Sequence, residues 1–154
     1  MKTKDLVFQA LLAALYVVLT VPFEPISFGP IQFRVSELLM ILIIINPKHS
    51  LGIVLGCFVA NFASDMPWDI LIGTLATALA AFAMSKTKND DLALIWPAIM
   101  NGIIIAAELK FFLGFPLIPS MISIFLSELI IVYLPGKILL PKIRNNDRLL
   151  EMLS

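Results

Sequence analysis

Cysteine and histidine are almost absent from this chain of 154 residues, which contains one of each. The single Cys57 lies within an apolar run, so the sequence offers neither a disulfide framework nor a thiolate metal cluster. The single His49 has no second histidine with which to build a metal site. We therefore expect no metal site in this chain.

Charged residues are also scarce. They make up 14% of the chain, whereas 60% of its residues are hydrophobic and the mean hydropathy is +0.98. A typical soluble domain has about 25% charged and about 45–50% apolar residues, so a water-soluble fold could not bury this much apolar surface. The composition predicts an integral membrane protein. The formal net charge is zero, which gives no indication of a nucleic-acid partner.

Motifs of the common catalytic and nucleotide-binding sites are missing as well. A Gly-x-x-x-x-Gly-Lys-Ser/Thr phosphate loop is excluded, because the dipeptide Gly136-Lys137 is followed by Ile138. No Gly-x-Ser-x-Gly, His-Glu-x-x-His or Cys-x-x-Cys motif occurs. With one histidine and no nucleophile beside a base, we expect that the protein is not an enzyme and does not bind ATP in this manner.

Six apolar runs account for most of the chain. They cover residues 6–21, 35–45, 50–63, 69–84, 92–113 and 116–134. A helix needs about 20 residues to cross a membrane, with a range of about 17–25, so the second and third runs are short and must borrow flanking residues, tilt or be shielded. No cleavage site follows the first run, which we interpret as a retained helix. We predict an all-α membrane protein, one six-helix domain over residues 1–154 with a short basic tail at about 137–154.

Basic residues fall almost entirely on one side of this six-helix topology. With the N-terminus in the cytoplasm, only Arg34 and Lys110 lie on the outer side. The nine cytoplasmic ones are Lys2, Lys4, Lys48, Lys86, Lys88, Lys137, Lys142, Arg144 and Arg148. This excess agrees with the positive-inside rule and favours an even number of spans, with both termini cytoplasmic.

Acidic residues show the opposite bias. Six of them map to outer loops or to the outer halves of helices, namely Glu24, Glu37, Asp65, Asp69, Glu108 and Glu128. An ionised side chain at mid-membrane costs about 2.5–3.5 kcal/mol and usually faces the protein interior or a wet cavity. Because two bases cannot neutralise every acid, we favour a substrate cavity for Glu108 and Glu128. Arg34 with Glu37 fits a structural ion pair and a ligand contact equally well, whereas capping or a solvated role is expected for Asp65 and Asp69.

Helical spacing adds further candidates. Asn101 and Glu108 are seven residues apart and share one face of the fifth helix, and Asn61 lies at the outer end of the third. Ala10 and Ala14 form a small-residue pair on the first helix. Such faces let membrane helices approach closely, so this pair either packs internally or receives a partner subunit.

Several segments together resemble a known family. The most distinctive is residues 28–37, which read Phe-Gly-Pro-Ile-Gln-Phe-Arg-Val-Ser-Glu. The resemblance continues, in order, through residues 55–61, 68–77, 101–102, 108–109 and 127–133. Over nearly the whole chain the sequence is similar to the queuosine-precursor transporter family (QueT-type). It departs from the family pattern at Ser127, where glycine is expected, and at Lys110.

Members of this family are substrate-binding S components of energy-coupling factor (ECF) transporters, which are ABC-type importers. The resemblance implies a subunit of the bacterial plasma membrane that captures a 7-deazaguanine such as preQ1 or queuine at the extracellular side. It also implies docking of the Ala10–Ala14 face on a membrane scaffold subunit, with ATP hydrolysed by two partner ATPase subunits and no cofactor in this chain. The implied substrate-binding residues are Gln32, Phe33, Arg34, Glu37, Asn61, Asn101, Glu108 and Glu128.

Other functions remain open at this point. The same kind of S component could bind a different vitamin or small molecule. A stand-alone, gradient-driven carrier would carry the same polar pocket, and would be distinguished by transport without any ATPase. A structural or assembly membrane protein would use the buried acids for stability alone.

Overall fold

The computed structural model describes residues 3–28 and 31–153. Gly29 and Pro30 of the ten-residue motif lie outside the described residues, as do the predicted cytoplasmic Lys2 and both terminal residues. Within the described ranges the chain is helical and contains no strand. The α-helices are α1 Thr3–Thr20, α2 Glu24–Ser27, α3 Ile41–Ile45, α4 His49–Ala60, α5 Asp69–Lys86, α6 Asp90–Leu113, α7 Leu117–Glu128, α8 Leu134–Arg144 and α9 Asp147–Leu153.

Tighter and wider turns join some of these helices into longer segments. The 3₁₀ turn Val35–Met40 leads directly into α3, and the 3₁₀ turn Asn61–Ala63 follows directly after α4. A π-helical turn, Leu129–Tyr133, joins α7 to α8. Isolated π turns in long helices are uncommon and often occur at functional sites.

Within the described part of the chain, four helical segments are long and apolar enough to cross a membrane. They are Thr3–Ser27, Asp69–Lys86, Asp90–Leu113 and Leu117–Arg144. Two shorter apolar segments, Val35–Ile45 and His49–Ala63, coincide with the second and third predicted runs. The predicted all-α fold is therefore confirmed for the described residues, with four candidate membrane spans. The count of six spans and the cytoplasmic placement of both termini stay predictions.

Local sequence explains the bounds of the longest helix, α6. Asn89 caps its start, because the Asn89 side-chain oxygen accepts a hydrogen bond from the Leu92 N–H at 3.0 Å. Gly114 ends it with φ of +72°, a left-handed conformation that glycine adopts at little cost. The chain can thus turn sharply from α6 into α7.

Helix α1 packs against α4, α4 against α5, α5 against α6, and α6 against α7. Glycines bring α1 and α4 close together, since a Cβ atom on Gly56 would lie 2.6 Å from the Tyr16 Cβ. The core between them contains Tyr16, Ile53, Cys57 and Met84, all fully buried or nearly so. This packing points the Tyr16 hydroxyl toward the polar centre described below.

The predicted basic tail is largely helical. Helix α8 continues to Arg144 and is attached to the start of α6 by two ion pairs, Lys137 with Asp91 and Arg144 with Asp90. Helix α9 follows, and the Leu153 carbonyl oxygen lies 2.8 Å from His49 Nε2. The end of the described chain is thereby held against the start of α4.

Candidate ligand-binding site

Seven of the eight predicted substrate-binding residues have polar side chains, and the structure buries all seven. They are Gln32, Arg34, Glu37, Asn61, Asn101, Glu108 and Glu128. The eighth, Phe33, is half-buried and packs on an apolar cluster that includes Ile41 and Val132. No contact described here assigns Phe33 to the polar site, so its ligand role stays a prediction.

Glu37 is held at the start of its helical segment by hydroxyl groups from two other helices. Its Oε1 accepts a hydrogen bond from the Tyr16 hydroxyl at 2.5 Å and another from Thr77 Oγ1 at 3.2 Å. Arg34 NH1 lies 4.0 Å from the same oxygen. One oxygen of the carboxylate is thus fixed, and Oε2 has no partner among the described residues.

Arg34 is shared between two carboxylates. Its NH2 lies 3.8 Å from Asp69 Oδ2, which is an ion pair but too long for a hydrogen bond. The Phe28 ring stacks over the guanidinium at 4.9 Å, a cation–π contact. Arg34 therefore takes part in an ion pair, as one interpretation of the sequence held, but it does not fully satisfy either acid.

Glu128 joins the site from the end of α7. The Asn101 Nδ2 of α6 donates a 2.7 Å hydrogen bond to Glu128 Oε1. Glu128 Oε2 and Asn101 Oδ1 are buried and have no partner among the described residues. Glu128 is the last residue of α7, and the π-helical turn begins at the next residue.

Glu108 has no hydrogen-bond partner within the described ranges for either carboxylate oxygen, although the side chain is buried. Lys110, which the sequence offered as a neutralising base, is exposed and takes part in none of the ion pairs between described residues. Phe112, one turn after Glu108, stacks at 4.9 Å on Trp68, the residue before Asp69. Glu108 therefore lies at the same end of the bundle as Asp69, which pairs with Arg34.

Asp69 is a site residue that sequence reasoning missed. It was expected to cap a helix or to be solvated, and that expectation is wrong, because Asp69 is completely buried and neither of its carboxylate oxygens has a hydrogen-bond partner in the described structure. Its neighbour in the loop, Asp65, is exposed. Gly73, one turn further along α5, leaves the space that Asp69 Oδ1 occupies, since a Cβ there would overlap it. This acid–glycine spacing was the available signal.

The charges of the group do not balance. Arg34 contributes one positive charge, and Glu37, Asp69, Glu108 and Glu128 contribute four carboxylates, so the formal charge is 1 − 4 = −3. Arg34 lies 4.0 Å from Glu37 and 3.8 Å from Asp69, so the single guanidinium pairs with only two of the four acids. Buried charges are costly unless they are paired, so this arrangement favours a cationic or donor-rich ligand.

Unsatisfied polar atoms mark the same residues. The described structure contains ten buried side-chain nitrogen or oxygen atoms without a hydrogen-bond partner, on Gln32, Arg34, Glu37, Asn61, Asp69, Asn101, Glu108 and Glu128. Eight of the ten are acceptor oxygens. Each unmade hydrogen bond costs about 1–3 kcal/mol, so a protein retains such a concentration only where another molecule supplies donors. No three His, Cys, Asp or Glu side chains of the described ranges are positioned to hold a metal ion.

The two alanines predicted to contact a partner lie elsewhere. Ala10 and Ala14 are exposed on the side of α1 that faces away from the bundle, next to the exposed Leu11 and Val18. This position excludes internal packing as their use. The role of this face in binding a partner subunit stays a prediction.

Sequence comparisons match the chain to one transporter family. The model of the QueT transporter family matches residues 6–145 of the chain. A curated relative, the "Queuosine precursor transporter QueT" of Lactococcus lactis subsp. cremoris (strain MG1363), is 36% identical over 143 residues, covering 82% of this chain and 85% of the relative. No solved structure gives a significant match.

Proposed function

The chain belongs to the QueT transporter family, and from that premise we propose that it is a membrane transport protein for a queuosine precursor, namely the substrate-binding S component of an ECF-type importer. It captures a 7-deazaguanine such as preQ1 or queuine at the extracellular side of the bacterial plasma membrane. It is not an enzyme in this proposal, because its task is to bind a ligand and deliver it.

The observation that carries the proposal is the set of eight open acceptor oxygens in one buried, formally anionic group. A guanine-type base presents adjacent N–H donors along one edge, and a carboxylate accepts such donors in pairs. An aminomethyl substituent adds a cation, which the excess of carboxylates would balance. Both features of a 7-deazaguanine therefore complement what the protein leaves unsatisfied.

The remaining parts of the importer are assigned to partner subunits. The chain has no phosphate-binding loop, so ATP is hydrolysed by two cytoplasmic ATPases and no cofactor is bound here. The exposed Ala10 and Ala14 fit a close helix–helix contact with a membrane scaffold subunit, since small residues let helix backbones approach.

Calorimetry on the purified, lipid-reconstituted protein tests the proposal. We expect preQ1 or queuine to bind without ATP, with a Kd in the nanomolar to micromolar range, and to raise the unfolding temperature because a ligand stabilises the state it binds. Glu128→Gln should weaken binding by roughly 10- to 100-fold, because it removes a charged acceptor worth about 1.5–3 kcal/mol. The matched control is Asp147→Asn, which removes the charge of an exposed carboxylate outside the candidate site.

Three results would contradict the proposal. Binding of a vitamin but of no deazaguanine would reassign the substrate within the same transporter class. Uptake of the ligand into proteoliposomes that contain this chain alone would indicate a gradient-driven carrier instead of an S component. A Glu128→Gln variant that loses stability but binds deazaguanine normally would indicate a structural role for the buried acids.

A further inference from the structure

The four buried carboxylates are of two kinds. Glu37 and Glu128 each have one oxygen fixed by the protein, through Tyr16 and Thr77 in the first case and Asn101 in the second. Each therefore presents a single open oxygen in a fixed direction. Such an oxygen is suited to a directional N–H donor, because hydrogen bonds weaken steeply as they bend.

Asp69 and Glu108 differ, because neither oxygen of either side chain has a hydrogen-bond partner within residues 3–28 and 31–153. Both side chains are at least 98% buried. Asp69 at the start of α5 and Glu108 near the end of α6 lie at the same end of two consecutive helices that pack against each other. Their four oxygens are open, and the Arg34 guanidinium, 3.8 Å from Asp69, also lies 4.0 Å from Glu37.

We propose that Asp69 and Glu108 form an ammonium-binding half of the site, while Glu37 and Glu128 form the half that accepts the N–H donors of a planar base. The inference rests on the proposed function and makes it more specific: the ligand carries a protonated amine beside its donor edge. A primary ammonium has three donors and no acceptor, so four unconstrained oxygens complement it better than fixed single ones do.

The surroundings of the two acids support a preformed ammonium site. Gly73 leaves room for the Asp69 carboxylate, and the Asn61 side chain donates a 2.9 Å hydrogen bond to the Asp69 carbonyl oxygen. Trp68, the residue before Asp69, stacks on Phe112, one turn after Glu108, at 4.9 Å. This stack joins α5 to α6 at the level of the two acids and fixes the separation of the helices that carry them.

The test compares two ligands that share the deazaguanine base and differ in the 7-substituent, which is a protonated amine in one and an uncharged nitrile in the other. Binding of 7-aminomethyl-7-deazaguanine and of the uncharged 7-cyano-7-deazaguanine is measured by calorimetry on the full chain in lipid. The variants are Asp69→Asn, Glu108→Gln and Glu128→Gln, with the exposed Asp147→Asn as control. Binding of the neutral ligand also reports whether the Asp69→Asn and Glu108→Gln variants are folded.

We expect the wild type to prefer the amine at least tenfold. Asp69→Asn and Glu108→Gln should each weaken binding of the amine at least tenfold and that of the neutral base less than threefold, whereas Glu128→Gln should weaken both. Equal losses for both ligands in Asp69→Asn, no loss in that variant, or equal wild-type affinities would each overturn the division into halves and leave the proposed function standing. A wild type that binds neither ligand would overturn the proposed function, and this inference with it.

Discussion

Replacing Gly56 by alanine should separate α1 from α4 and loosen the site at the same time. The new Cβ would lie 2.6 Å from the Tyr16 Cβ and 2.8 Å from the Ala13 carbonyl oxygen. Carbon atoms pack at about 3.5 Å or more, so the helices must move apart by about 0.9 Å. A shift of that size would stretch the 2.5 Å bond from the Tyr16 hydroxyl to Glu37 to about 3.4 Å, beyond the range of an O–H···O hydrogen bond.

The expected magnitude follows from two opposing contributions. Overpacking costs about 1–3 kcal/mol, and the upper part of that range applies because the clash involves backbone that cannot rotate away. Alanine is favoured over glycine in a helix by about 1 kcal/mol. We therefore expect the Gly56→Ala variant to lose about 1–2 kcal/mol in free energy of unfolding, and to bind its ligand more weakly because Glu37 is no longer held.

A second glycine supplies the matched control. A Cβ on Gly102, in the interior of α6, would have no neighbour closer than 3.5 Å, which is ordinary contact. Only the helix-propensity gain remains, so Gly102→Ala should be neutral or stabilising by up to about 1 kcal/mol. Denaturant unfolding of both variants in detergent measures the difference. Equal stability of the two variants would refute the proposed close approach of α1 and α4.

Three further predictions concern separate contacts. Lys137→Ala should change the free energy of unfolding by less than about 1 kcal/mol, and the change should vanish at high salt, because its pair with Asp91 is exposed; a large, salt-independent loss would contradict this. Cys57 should react with a maleimide only after denaturation, because it is completely buried, and rapid labelling of the folded protein would show an opening that the structure lacks. Asn101→Ala should lower the free energy of unfolding by about 0.6–1.7 kcal/mol, as measured for hydrogen bonds between membrane helices, and should weaken ligand binding because Glu128 is no longer held. Unchanged ligand binding would show that this hydrogen bond does not contribute to the site.

The positions of the helices could be predicted from the sequence because hydrophobic runs are the dominant signal in a membrane protein. The fifth run was predicted at 92–113, and α6 covers Asp90–Leu113. The end of the sixth run was less predictable. The sixth run was predicted to end at residue 134, yet helical structure continues through the π turn Leu129–Tyr133 into α8, which reaches Arg144.

Burial of the candidate residues was predictable where a charge or an amide stands out in an apolar run, as Glu108, Glu128 and Asn101 do, because such groups are too costly to expose to lipid. The rest of the candidate site could not be predicted, because its residues are uncharged or their burial depends on the folding of a loop. The Tyr16 and Thr77 hydroxyls that hold Glu37 look like ordinary helix residues in the sequence. Burial of Asp69 depends on how the loop before α5 folds inward, which the local sequence does not specify.

The helices differ greatly in length, and this has a consequence for the surrounding lipid. At about 1.5 Å per residue, the 28 residues of Leu117–Arg144 extend about 42 Å, whereas the 15 residues of His49–Ala63 extend about 23 Å. The shorter segment nevertheless exposes Phe58 and Phe62 on its outer face. If both segments span the bilayer, as the six-span topology predicts, a core of about 30 Å has to become thinner beside one flank of the protein, and the other flank has to tilt or protrude. In that topology the lipid annulus is uneven in thickness, so acyl-chain length becomes a variable in any reconstitution.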